Sequence, residues 1–127
     1  MGWGTISIPV SGSEYLNLSP ANSTTSGTGN VLFGLSSRGE YRLKSSEEGS
    51  GTFTIDIGSI STGSSYLTLD NFRGIYNSTS IDSFPSASFQ LPSTSGEILY
   101  LGARETVSAG MTPTTLTPTF DIIIIIQ

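Results

Sequence analysis

The chain closes on "FDIIIIIQ": Phe120, Asp121, five consecutive isoleucines (Ile122, Ile123, Ile124, Ile125 and Ile126) and Gln127. This run constrains the fold more than any other stretch. Branching at Cβ restricts χ1 and suits a pleated surface, so five such residues predict an extended strand. A strand buried on one face alternates apolar and polar residues. Here both faces are apolar, so both need cover or the strand becomes a sticky edge. A membrane-crossing helix needs about 20 apolar residues, far more than this run supplies. Burying five isoleucines contributes on the order of 7–15 kcal/mol, at about 1.5–3 kcal/mol each.

The rest of the chain reads in period two, and no amphipathic helix emerges. "TISIPV" puts Ile6, Ile8 and Val10 on one face, with Pro9 on the other marking an edge. "YLNLS" and "NVLFGLSS" follow, separated by the loop-like "PANSTTSGTG". "GEYRLKS" predicts Tyr41 and Leu43 inward and Glu40, Arg42 and Lys44 outward. "GTFTIDIG" alternates most cleanly, with Phe53, Ile55 and Ile57 inward and Thr52, Thr54 and Asp56 outward. "SYLTLDNF", "ASFQLP", "EILYLGA" and "ETVSA" complete the series before the isoleucines. Nine or ten short strands joined by Gly/Ser/Pro turns predict a single all-β domain over residues 1–127, an antiparallel sandwich or barrel.

Composition narrows the function. With 5 Lys+Arg against 10 Asp+Glu, the net charge of −5 leaves no basic stripe for nucleic acid or anionic membranes. Charged residues are only 12%, about half the usual share, and serine and threonine fill the gap. The chain has no histidine and no cysteine, which excludes disulfides and metals that need imidazole or thiolate. The 23 serines therefore have no histidine base. Glu47-Glu48 falls in "SSEEGSG", a solvated hairpin turn by composition, and Asp56, Asp70, Asp82 and Asp121 are scattered. No enzyme and no cofactor are expected.

Three weaker signals remain. Lys44 is the only lysine and would be needed for a lysine–asparagine crosslink, yet its outward position favours an ordinary solvated role. Sequons at Asn17, Asn22 and Asn77 are candidate glycosylation sites if the chain is exported. Trp3, Tyr15, Tyr66, Tyr76 and Tyr100 are candidates for a sugar-stacking platform, which makes a host or surface glycan the second partner class. The opening Met1-Gly2-Trp3-Gly4 has neither the basic region nor the apolar run of an export signal. The expectation is a mature or trimmed form of an exported chain.

"GEILYLGARETVSAGMTPTTLTPTFDIIII" resembles the C-terminal half of a domain-of-unknown-function family of small exported β-sandwich proteins of Gram-negative bacteria, related to pilin-type folds. The resemblance rests on Gly96, Gly102-Ala103, Ala109-Gly110, Pro113 and Thr119-Phe120. "LTLDNF", "FGLSSRGEYRLKSS" and "WGTISIPVSGSEYLNLSP" extend it over nearly the whole chain. Two departures stand out: Pro113 to Pro118 lacks the family's Pro-Gly-Thr-Tyr-x-Gly turn, and the short strand that normally precedes the aromatic-Gly-Thr-Ile segment has no counterpart.

The resemblance implies an immunoglobulin-like or pilin-like sandwich and an extracellular or cell-surface structural role without catalytic residues. In such a sandwich, a neighbouring subunit can complete the fold by strand addition. The expected partner is therefore a second copy of the chain, joined through the isoleucine strand or through Ile6, Ile8 and Val10. A carbohydrate-binding module and a virion decoration or tail protein are the alternatives. A strand covered on both faces within one molecule is the plainer outcome for the isoleucines.

Overall fold

The computed structural model describes residues 1–46 and 49–127; the Glu47-Glu48 turn expectation lies outside the described residues. Eleven strands and no helix are present among them: β1 (Thr5–Ile6), β2 (Ser13–Leu18), β3 (Thr25–Gly27), β4 (Val31–Phe33), β5 (Gly39–Leu43), β6 (Thr52–Ser61), β7 (Leu67–Tyr76), β8 (Thr79–Ile81), β9 (Phe89–Gln90), β10 (Glu97–Ser108) and β11 (Thr119–Ile126). All pairings are antiparallel. The fold is an all-β sandwich, the class that the period-two pattern predicts.

The larger sheet runs β3-β2-β10-β7-β8, with β5 also on β10. The 12-residue β10 is its spine. One edge of β10 pairs β7 from Leu99 to Val107. The other edge serves β5 over Glu97–Leu101 and then β2 over Arg104–Ser108. At the handover, a Cβ on Gly102 would collide with the Leu18 carbonyl at the end of β2. Opposite lies a bulge: Gly102 faces Arg73 and Arg104 faces Asp70, which leaves Asn71 and Phe72 against Ala103 alone. Asn71 takes φ 48°, a conformation its short polar side chain tolerates. Beyond the bulge, the Arg104 guanidinium grips Asp70 with two bonds of 2.9 Å.

The smaller sheet is β11-β6-β9. Its central strand β6 carries Phe53 and Ile55 fully buried. They meet Tyr76, Ile81, Leu99 and Leu101 of the larger sheet in one core cluster. A second cluster gathers Trp3, Leu16, Leu18, Leu69, Phe72 and Ala103, with the Trp3 indole N–H donating to the Leu16 carbonyl at 3.2 Å. Buried Tyr76 donates its hydroxyl to Glu97 at 2.8 Å. β7 turns into β8 through Asn77 and Ser78, both at positive φ, the two-residue turn that matches strand twist. β1 and β4 form a separate two-stranded ribbon.

Several boundaries differ from the sequence reading. "TISIPV" is a strand only at Thr5–Ile6, and Pro9, expected on an outer face, is buried. The ladder has already ended there, its last bond being the Ser7 N–H to the Asn30 carbonyl. "NVLFGLSS" shrinks to Val31–Phe33. "EILYLGA" and "ETVSA" are one strand, because Gly102 marks a close backbone approach and not a break. β7 continues past Phe72 to Tyr76 and leads into β8, which the pattern did not mark.

Candidate functional site

β11 pairs β6 from Ile122↔Ile57 to Ile126↔Phe53 and, among the described residues, has no strand on its other side. It is an edge strand. Ile122, Ile124 and Ile126 share the inward face with Ile57, Ile55 and Phe53; Ile123 and Ile125 share the outward face with Asp56 and Thr54. Ile55 and Phe53 are fully buried, yet their neighbours Ile124 and Ile126 are 41% and 72% exposed. Cover over the inner face therefore stops one strand short of the edge. Ile123 and Ile125 are exposed as well. The covered-strand outcome is overturned, because β6 turns its far edge to β9 and Ser86, which leaves β11 outermost.

The backbone of β11 is open too. The Gln127 N–H bonds to the Thr52 carbonyl at 2.9 Å. Antiparallel ladders alternate bonded and unbonded positions, so Ile122, Ile124 and Ile126 aim their N–H and C=O groups away from β6. From Ile122 to Ile126 no charged residue interrupts this edge, although charge is the usual guard against edge pairing.

β5 forms the facing rim. It pairs β10 only, and its inward Tyr41 and Leu43 point toward the core that β11 leaves uncovered. The Tyr41 and Phe120 rings meet edge-on at 6.3 Å, and burial pushes the Tyr41 hydroxyl above its ordinary value. Two depressions open along this side of the sandwich. One of about 610 Å³ is bordered by Tyr41, Phe120 and Ile122. The other, about 640 Å³, is bordered by Leu43, Phe53, Leu91, Ile124 and Ile126. Exposed Arg42 and Lys44 guard β5; on β11 the exposed Asp121 precedes the isoleucine run, which carries no charge itself.

The N-terminal candidates scatter. Ile6 is half-buried, pairs with Val31 and packs on the Trp3 cluster. Ile8 is half-buried and lines a cleft, while Val10 is fully exposed in a turn. They do not form one apolar face, because the strand ends at Ile6 and the chain leaves the ladder after Ser7. The aromatic set divides as well. Trp3 and Tyr76 are core residues, and Arg38 covers the Tyr100 ring at 3.6 Å. Tyr15 and Tyr66 remain exposed. Asn17, Asn22 and Asn77 are all exposed; the Asn22 carbonyl oxygen accepts from the Thr24 hydroxyl at 2.7 Å.

Two features escaped the sequence reading. Leu32, Phe33 and Leu35 are exposed on and beside β4, although their apolar run reads as an ordinary core strand. Glu105 is buried on the inner face of β10, within a stretch whose alternation marks it only as an inward position. No family model, curated protein or solved structure matches this chain.

Proposed function

We propose that this chain is a structural subunit of an extracellular filament or surface assembly, joined to its neighbours by β-strand addition along β11. The observation that carries this reading is the free edge of β11, uncharged from Ile122 to Ile126, with Ile123 to Ile126 exposed and Leu43 across the opening. An extended segment laid there gains main-chain hydrogen bonds from the outward groups of Ile122, Ile124 and Ile126. Its alternate side chains enter the depressions, the division of labour expected of strand addition.

One further observation supports an open chain of subunits over a closed dimer. The apolar surface around Leu32 and Phe33 lies beside Leu67 and Val107, whereas Ile126 lies beside Leu43, opposite Glu97. Those ends of β10 are separated by about 33 Å, at roughly 3.3 Å per residue. Unlike surfaces at opposite ends suit head-to-tail contacts, which generate filaments when the rotation does not close. Ile6 and Ile8 are half-buried, whereas Leu32, Phe33 and Leu35 are exposed although β4 pairs β1, so the side chains of the β4 region are the better contributor to a neighbour's β11.

Export is supported by the resemblance to small exported sandwich proteins and by the exposure of all three sequons. The glycan-binding reading has less support, since Trp3 and Tyr76 lie in the core.

Negative-stain electron microscopy and sedimentation velocity of the wild type beside Ile125→Lys test the proposal. Ile125 faces outward over Thr54, so the lysine leaves the core intact while placing a charge at the edge. The wild type should form concentration-dependent assemblies and the variant should remain a folded monomer. A wild type that stays monomeric at every concentration, or a variant that assembles equally well, contradicts it.

A further inference from the structure

The cleft at the other end of the molecule holds an unexplained group. A cavity of about 550 Å³ lies between residues 4–8 and 111–116, walled by Ile6, Ile8, Leu67, Val107 and Leu116, with Glu105 on its floor. Such a volume is ordinary for a small-molecule site. Glu105 is only 9% exposed and sits between Leu16 of β2 and Leu69 of β7 in the ladder. Its carboxylate has no hydrogen-bond or ion-pair partner among the described residues. No side-chain oxygen of the described residues is both sealed from solvent and unpaired, so the Glu105 carboxylate opens to the cleft.

No cation of the chain is directed there. Arg104 is held by Asp70, Arg73 by Asp82, Arg42 by the Ser95 and Gly96 carbonyls, and Arg38 by the Pro20 and Ala21 carbonyls. Lys44 lines the opening beside Ile126. The Glu105 carboxylate is therefore free to take a cation that enters the cleft from outside the chain.

We infer that this cleft binds an organic cation with an apolar body, of the alkylammonium class. The aliphatic walls take the hydrocarbon, and the carboxylate takes an ammonium N–H. Thr5 and Ser7, also lining the cleft, have hydroxyl groups for the remaining donors. No aromatic ring lines the cavity, which disfavours a stacked sugar, and a lone carboxylate is too few ligands for a metal ion. The net charge of −5 adds long-range attraction for cations.

The probes are n-hexylammonium, n-hexanol and hexanoate, titrated separately into the full ¹⁵N-labelled chain at about pH 8, where the carboxyl is mostly ionised. Hexylammonium should give saturable shifts of the Glu105, Ile6 and Leu116 amides. Hexanol should bind more weakly at the same amides, and hexanoate should not bind. Glu105→Gln should weaken hexylammonium about tenfold or more while leaving the hexanol response in place. Absence of saturation by hexylammonium, equal affinity for hexylammonium and hexanol, or unchanged hexylammonium binding in the variant overturns the assignment. The comparison of ammonium and alcohol on the wild type decides the matter even if the variant does not fold.

Discussion

Glu105 and Ile125 illustrate how a single side chain departs from its strand's pattern. On β10, Ala103 and Val107 bury apolar groups on the inner face, and Glu105 between them buries a carboxyl. Burial raises its pKa from 4.5 to about 7. The folded state therefore holds a proton that the unfolded chain has already lost between those values. The contribution to stability is fully present below about pH 4.5, declines as pH rises through about 7, and is flat above. Glu14 and Tyr15 of β2 line the same small void. Urea midpoints at about pH 5 and pH 8 should thus fall more in the wild type than in Glu105→Gln. Equal falls in the two proteins would show that Glu105 does not control this pH dependence.

Elements depend on neighbours that their own residues do not name. Alternation located β6 correctly, down to the buried Phe53 and Ile55, because one face of that strand meets the core and the other does not. The isoleucine run was equally legible as a strand. Its edge position was not, since that depends on β6 giving its other side to β9 and Ser86. Gly102 was read as a strand end because glycine commonly punctuates. In the fold it is the point where β10 passes from β5 to β2, and the Leu18 carbonyl leaves no room for a side chain. A backbone atom held in a ladder cannot yield as a flexible side chain can. Gly102→Val should cost about 2 kcal/mol or more, read as a lower urea midpoint. An unchanged midpoint would mean that the end of β2 is not fixed against β10.

For the whole molecule, the central asymmetry lies between a well-covered core and two uncovered apolar ends. Leu32, Phe33 and Leu35 mark one end, and Ile123 to Ile126 mark the other. Charge guards β5 through Arg42 and Lys44, while on β11 the only charge, Asp121, precedes the isoleucines and leaves them unguarded. The chemistry of the candidate joint, five isoleucines, was legible in the sequence. The depressions beside it were not, because Tyr41, Leu43 and Leu91 converge on them from distant positions in the chain. The unguarded edge has its own backbone signature: the Ile124 and Ile126 amides have no acceptor on β6, whereas those of Leu99 and Leu101 lie within the spine of the larger sheet. The most direct measurement is residue-resolved hydrogen exchange in dilute and concentrated samples. Strand addition at β11 predicts fast exchange at Ile124 and Ile126 when dilute and strong protection when concentrated, with Leu99 and Leu101 protected in both. Exchange at Ile124 and Ile126 that stays fast at every concentration would contradict β11 as the joint.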